Sequence, residues 1–247
     1  MPVLAIALSL SVVGSLGGLA IASLLLLLPS STRSSLIPWL ISYAVGTLLG
    51  VALLAILPES LKQLDASAVL GTLLAGILLF FMVEKLVIWR HCHANDCDAH
   101  DGQARSSATL VLVGGAIHNF TDGTIIGAAV LSSIPLGLTT ALAVAAHQVP
   151  QEVGDFAILL GAGYSRRRAL MMNTLTGTTG VLGALAIYGT AGWVPQALPY
   201  VLAFASGNFL YVAMADLIPG LHRGAIDVGA IRQVVLIAAG IGTVLVL

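Results

Sequence analysis

Residues 109–131 read TLVLVGGAIHNFTDGTIIGAAVL, and residues 136–161 read LGLTTALAVAAHQVPQEVGDFAILLG. Each stretch is long enough to cross a bilayer as a helix, which takes about 20 mostly apolar residues. Each also carries ionisable side chains near its middle, where such groups are costly and therefore mark a functional site. The two stretches predict a membrane protein with a buried polar site.

The composition of the whole chain agrees with this prediction. Of the 247 residues, 58% are hydrophobic and only 9% carry a charged side chain, whereas a soluble domain devotes about a quarter of its residues to charge. The net charge of −1 supplies no basic surface, which excludes nucleic acid as a partner. We therefore expect an all-α integral membrane protein surrounded by the lipid bilayer.

Eight apolar runs are long enough to span the membrane: residues 3–28, 36–57, 68–89, 109–131, 136–161, 169–191, 198–218 and 229–247, numbered here as spans 1 to 8. Nine of the ten Lys and Arg residues flank odd-numbered connections between spans, and only Lys62 flanks an even-numbered one. The positive-inside rule then places both termini outside the cytoplasm. We expect a single transmembrane transporter domain, residues 1–247, as a multi-pass protein of the cell membrane. The sequence leaves the oligomeric state open, with a homodimer among the assemblies to consider.

Two segments of the chain are similar in sequence, which indicates an internal repeat. Residues 46–58 align without gaps on residues 207–219, with five of thirteen positions identical. Spans 2 and 7 run in opposite directions, so this similarity predicts an inverted repeat of spans 1–3 and 6–8 around a central hairpin of spans 4 and 5. Many secondary transporters have this arrangement. The alternative is coincidence, because small apolar residues are common in membrane helices.

The connection at residues 90–108 has an unusual composition. It holds half of the six histidines, both cysteines and three aspartates. Cytosolic thiols stay reduced, which favours metal ligation over a disulfide. The residue order does not match the spacing of a structural zinc site. Two interpretations remain, a solvated linker and a flexible, weak metal collector on the cytoplasmic side.

The polar side chains of spans 4 and 5 fall on shared helix faces, because residues three or four apart are neighbours on a helix. They are His118, Asn119 and Asp122 in span 4, one stripe of His147, Gln151 and Asp155 in span 5, and a second stripe of Gln148 and Glu152 beside it. Every one of these side chains offers an oxygen or nitrogen lone pair, and none is Lys or Arg, as a cation path requires. Asp122 and Glu152 together neutralise one divalent ion. Imidazole mixed with oxygen ligands suits Zn²⁺ or Fe²⁺ better than Mg²⁺ or Ca²⁺.

Helix geometry places these residues near the middle of the membrane. Counted from the tip of the hairpin, His118 and His147 lie at similar depth. Pro150 interrupts the hydrogen bonding of span 5, and a cavity lining or a packed kink can accommodate the interruption. Glu84 and Asp216 lie near the cytoplasmic ends of their spans, where solvation at the interface explains a charge.

At these residues the sequence resembles a known family. HNFTDG at residues 118–123 is similar to the HNFxDG signature of the Zrt/Irt-like protein (ZIP) family of divalent metal transporters. HQVPQEVGDF at residues 147–156 is similar to the HExPHExGDF signature of one of its subfamilies. The resemblance extends to residues 50–59, 164–170 and 211–219, and thus reaches most of the chain.

The resemblance implies uptake of Zn²⁺, and of Fe²⁺, Mn²⁺, Co²⁺ or Cd²⁺, toward the cytoplasm through an elevator-like movement, with the metal as substrate and no prosthetic group. It also implies a binuclear site between spans 4 and 5. By motif position the metal ligands are His118, Asn119, Asp122, His147, Gln148, Gln151 and Glu152. The chain departs from the subfamily pattern where Val51 replaces an acidic residue, Ala55 a histidine, Gln148 a glutamate and Gln151 a histidine. These departures leave open whether one ion or two ions bind.

Three other function classes share some of these features. An intramembrane metal-dependent hydrolase would also bury polar groups, but the chain lacks H-E-x-x-H, and His118 and Asp122 have no adjacent general base. A haem-binding electron carrier needs facing histidines, and His118 and His147 suffice for one haem at most. A membrane metal sensor without transport fits the same residues. The leading hypothesis is a transporter of divalent transition metal, which is not an enzyme.

Overall fold

The computed structural model describes residues 2–92, 100–193, 195–221 and 228–247 of the chain. Within these residues the structure is entirely helical, without a β-strand, which confirms the predicted all-α class. The long helices are α1 (Pro2–Leu25), α2 (Ser30–Leu61), α3 (Ala66–Cys92), α4 (His100–Ser132), α5 (Ile134–Gly161), α6 (Arg166–Ala191), α7 (Pro195–Leu221) and α8 (Val228–Val246). Each helix contains most or all of one predicted span.

Six helices in the described part of the chain are long and apolar enough to cross a membrane, namely α1, α2, α3, α6, α7 and α8. The other two predicted spans correspond to α4 and α5, which carry the polar residues of the motifs. In oil, a helix satisfies its own backbone hydrogen bonds, which is why apolar runs of this length become helices. That all eight helices cross the membrane, with both termini outside, stays a prediction.

Local capping defines the ends of α5. The Ser133 side chain accepts a hydrogen bond from the backbone N–H of Leu136, and Pro135 occupies the first turn, where its missing N–H costs nothing. The α4–α5 hairpin is therefore tight. At the other end the chain reverses at Gly163, whose φ of +83° favours glycine. Pro150 lies inside α5 without ending it.

The helices pack in two groups. α1, α4, α5 and α6 contact one another closely, and α2, α3, α7 and α8 form a second set through the α2–α8 and α3–α7 pairs. Contacts of α2 with α5 and of α4 with α7 join the two groups. The polar helices α4 and α5 thus belong to one group and present a face to the other.

Within the first group, α4 and α6 meet backbone to backbone. A β-carbon at Gly123 would collide with the carbonyl oxygen of Gly180, and one at Gly183 would collide with the carbonyl oxygen of Phe120. Small residues permit this approach, as is usual between membrane helices. The contact fixes the rotation of α4 and hence the direction of its polar face.

The connection at residues 90–108, predicted to be a linker or a metal collector, cannot be assigned from the structure. Residues 93–99 and the side chains of the flanking helix ends lie outside the described part of the chain. Both interpretations of that segment stay predictions.

Candidate metal site

Three side chains from α4 and α5 converge near the centre of the molecule. His118 and Asp122 lie one turn apart on α4, and the His118 Nε2 atom is 3.2 Å from Asp122 Oδ2. His147 of α5 places its Nε2 atom 3.2 Å from the same oxygen and 3.1 Å from His118 Nε2. Asp122 and His147 are buried, and the His118 side chain is 15% exposed. The three ligand atoms form a compact triangle, here called the triad.

The size of this triangle matches a transition-metal site. Bonds of about 2.0–2.1 Å in a tetrahedral zinc centre separate neighbouring ligand atoms by about 3.3 Å. The edges of 3.1 and 3.2 Å observed between the triad atoms are close to that value. The triad can therefore form one face of a tetrahedral site. The same closeness leaves no room for a haem between the two imidazole rings.

A hydrogen bond at the Nδ1 atom of His147 and a ring contact fix the orientation of its imidazole. Its Nδ1 atom lies 2.9 Å from the carbonyl oxygen of Ala143, so Nδ1 carries the proton and donates it. The Nε2 lone pair is then free to face the triad, the arrangement usual for metal-binding histidines. The ring of Phe209 on α7 packs edge to face against His147 at a centroid distance of 6.1 Å. Hydrogen bonding and packing thus orient one ligand before any metal arrives.

The second stripe of α5 lies in a separate, fully enclosed region. Gln148 Nε2 donates to Asn119 Oδ1 at 2.8 Å and to Asp122 Oδ2 at 3.2 Å, and Asn119 Nδ2 donates to the carbonyl oxygen of Gly115. In this region three buried oxygens have no hydrogen-bond partner among the residues that the structure describes: Asp122 Oδ1, Gln148 Oε1 and Glu152 Oε2. Unpaired buried acceptors are costly, and a cation is one species that would satisfy them. Asn119, Gln148 and Glu152 therefore form an oxygen-rich region behind the triad.

The stripe of His147, Gln151 and Asp155 faces a cavity of about 480 Å³ that extends from the triad toward the C-terminal end of α7. His118, His147 and Gln151 line it, and three acidic side chains, Glu84, Asp155 and Asp216, line the same space. We call it the acidic cavity. Pro150 also lines it, in agreement with the cavity interpretation of that residue.

Two acidic residues from other helices line the same cavity as the triad. Glu84 and Asp216 were expected to be solvated charges at helix ends; Asp216 is exposed and Glu84 is partly buried, and both line the acidic cavity together with the two triad histidines. Glu84 also accepts a hydrogen bond from the Tyr211 hydroxyl across the α3–α7 contact. The physical reason is that α3 packs against α7 and α7 contacts α4, which brings residues far apart in the sequence to one space. The acidic cavity connects the triad to three carboxylates.

Sequence reasoning missed two buried amides. Asn173 of α6 is 1% exposed, and its Nδ2 atom has no hydrogen-bond partner among the described residues. Asn208 of α7 is completely buried. Each is an uncharged amide in an apolar run, and that is the one signal by which the sequence could have identified them.

Comparison with known proteins gives a consistent result. Residues 89–247 match the family described as ZIP Zinc transporter. The chain is 34% identical over 218 residues to Zinc transporter ZIP13 of Pongo abelii, an alignment that covers 82% of this chain and 64% of that protein. It is 33% identical to Zinc transporter ZIP13 of Homo sapiens, covering 82% of this chain and 68% of the relative. A shorter alignment, to Zinc transporter ZIP4 of Homo sapiens, is 45% identical over 117 residues and covers 46% of this chain and 18% of that protein. The chain thus spans about two thirds of its ZIP13 relatives and much less of ZIP4.

Proposed function

Because the chain belongs to the ZIP zinc transporter family, we propose that it is a transporter, not an enzyme, that moves Zn²⁺ across a membrane through the site between α4 and α5. One observation carries this proposal: the triad of His118, Asp122 and His147 has the dimensions of a metal-binding face and is buried between helices. A mixed imidazole and carboxylate site favours borderline metals, so Fe²⁺, Mn²⁺, Co²⁺ and Cd²⁺ are the competing substrates to test. The metal is cargo, and the protein needs no prosthetic group.

The seven residues predicted from the motifs divide into two sets under this proposal. The triad binds the first ion, and Gln151 receives it on the acidic-cavity side. Asn119, Gln148 and Glu152 hold a second, oxygen-rich position, which shares Asp122 with the triad. Glutamine in place of an acid at position 148 lowers the negative charge there, so we propose that the second position binds more weakly than the triad.

We also propose the predicted topology, with eight spans, termini outside the cytoplasm, and an inverted repeat. Two pairs of features support the repeat. Gly46 of α2 lies against the backbone of α8, and its aligned partner Gly207 of α7 lies against the backbone of α3. The π-helical segments Val51–Ile56 and Val212–Leu217 also occupy equivalent positions in the alignment of residues 46–58 with residues 207–219.

The division into two packing groups supports the proposal of an elevator-like movement. Every triad ligand lies on α4 or α5, inside the group of α1, α4, α5 and α6, so this group can move as a unit with its ion. The acidic cavity leads from the triad toward the end of α7 that the topology places in the cytoplasm. The cavity thus gives the triad a route to the cytoplasm, and inward movement is the direction that we propose from the resemblance of the motifs. The connection at 90–108 lies on that side, and its two interpretations are a metal collector and a solvated linker. A homodimer in the cell membrane is the assembly to test by mass measurement in detergent.

Flux into proteoliposomes with an entrapped zinc-sensitive dye tests the function. External Zn²⁺ should raise the signal for the wild-type protein, and His118→Ala and Glu152→Ala should reduce the initial rate to that of protein-free liposomes. A matched control is Thr190→Ala, because its exposed hydroxyl bonds to carbonyl groups of its own helix.

The outcomes separate the alternatives. Metal binding without flux in the wild-type protein would identify a sensor and refute transport. Wild-type rates in both His118→Ala and Glu152→Ala would refute the assigned site while leaving transport in place.

A further inference from the structure

Asn208 is a buried amide without the hydrogen bonds that such a group needs. It lies in the middle of α7 with 0% of its surface exposed. Neither Nδ2 nor Oδ1 has a hydrogen-bond partner among the residues that the structure describes. A buried amide left unpaired is costly, so a ligand that this side chain could bind would offset that cost.

A neighbour on the same helix shows that the burial alone does not explain the missing bonds. Ser206, two residues earlier, is equally buried, and its hydroxyl donates to the carbonyl oxygen of Ala52 on α2. The packing of α7 therefore satisfies one buried polar group and leaves the other unsatisfied. Asn208 differs from Ser206 in the direction that it faces.

The direction follows from the residues one turn away on either side. Phe204, four residues before Asn208, lines a crevice of about 460 Å³ between α4 and α7, near the hairpin end of α4. Tyr211 and Val212, three and four residues after it, line the acidic cavity. Residues at these spacings share a helix face. Asn208 therefore lies on the face of α7 that joins the two spaces, between them.

Helix α4 lies opposite this face of α7, at the level of the triad. Thr121 and Thr124 of α4 line the hairpin-side crevice, and His118 lines the acidic cavity, so the boundary between the two spaces on α4 falls at the triad. On α7 the boundary falls at Asn208, and the next residue, Phe209, packs against His147. An ion that passes from the crevice to the acidic cavity crosses this boundary.

We propose that Asn208 is a transit ligand, whose amide oxygen binds the divalent cation on the α7 side of the path while the triad binds it on the α4–α5 side. This inference rests on the proposed function. Amide oxygen binds divalent cations, and it is a weaker ligand for Zn²⁺ than imidazole or carboxylate, which suits a position that the ion only passes. Because α7 belongs to the other packing group, Asn208 holds the ion only while the two groups bring the triad and α7 together. Its contribution is therefore to the rate of crossing, and the triad sets most of the equilibrium affinity.

Substitution at position 208 tests this role in the dye-flux assay. Asn208→Leu keeps the size of the side chain and removes the amide, so the fold should survive and Zn²⁺ binding to the detergent-purified protein should stay within a few-fold of wild type. The initial flux rate should fall about tenfold or more, the loss typical of removing a supporting group from a metal site. Ser206→Ala is the matched control and should keep the wild-type rate.

A second variant keeps the test decisive if Asn208→Leu does not fold. Asn208→Asp preserves the shape and adds a negative charge, so it should lower the KM for Zn²⁺ and slow release into the liposome. Wild-type rate and KM in Asn208→Asp, or wild-type flux in a folded Asn208→Leu, would overturn the transit role. If the wild-type protein itself shows no Zn²⁺ flux, the proposed function fails; wild-type flux with silent Asn208 variants removes this inference alone.

Discussion

Asp122→Asn tests the triad through the stability of the protein. The carboxylate is completely buried, and its Oδ2 atom is 3.2 Å from the Nε2 atoms of both His118 and His147. Asparagine has the same shape but no charge, so it removes the only anionic member of the triad. We expect the affinity for Zn²⁺ to fall at least about 100-fold, the upper range for a perturbed metal site.

The expected magnitude follows from binding linkage. At a free Zn²⁺ concentration of 100 times the wild-type Kd, one bound ion stabilises the folded protein by about 2.7 kcal/mol. If Kd rises 100-fold, about 0.4 kcal/mol remains at the same concentration. The lost 2.3 kcal/mol corresponds to a Tm difference of about 5–9 °C for a chain of this length. The metal-free Tm of each protein is its own reference, because the substitution also changes the contacts of this side chain with Gln148 and the two imidazoles.

Thermal unfolding in detergent, scanned with and without Zn²⁺, measures both quantities. The control is Asp65→Asn, because Asp65 is exposed and its side chain accepts a hydrogen bond from Ala68 N–H, which asparagine can also accept. That variant should keep the full metal-dependent shift. A wild-type shift in Asp122→Asn would show that the ion binds elsewhere, and the reasoning from triad geometry would be wrong.

Two further predictions concern packing and access. Gly123→Ala should destabilise the protein by about 1–3 kcal/mol, because its methyl group would collide with the backbone of α6. Gly154→Ala has open space around it and should be neutral or stabilising. Thermal unfolding of both variants measures the difference, and equal Tm values would contradict the packing argument. In a background without native cysteines, Gln151→Cys should react with a water-soluble thiol reagent through the acidic cavity, and Gln148→Cys should stay protected. Equal labelling of the two positions, measured by mass spectrometry, would show that the two stripes of α5 do not face different spaces.

Local properties of the chain were sufficient for the helices and for part of the site. A backbone in oil must satisfy its hydrogen bonds within its own segment, so the apolar runs predict the helices directly. Helical spacing is equally local, which is why the shared face of His118 and Asp122 and the two stripes on α5 could be deduced from the sequence. The resemblance in the same motifs led to the family, which the comparisons then showed.

Only the tertiary structure decided how these faces are turned toward one another. The approach of His147 to His118 within 3.1 Å depends on the rotation of two helices, and contacts between distant small residues such as Gly123 and Gly180 set the rotation of α4. Glu84 reaches the acidic cavity and Asn208 reaches the boundary between two spaces for the same reason. Packing between helices is non-local, so no pattern within one span encodes which neighbour a polar side chain will meet.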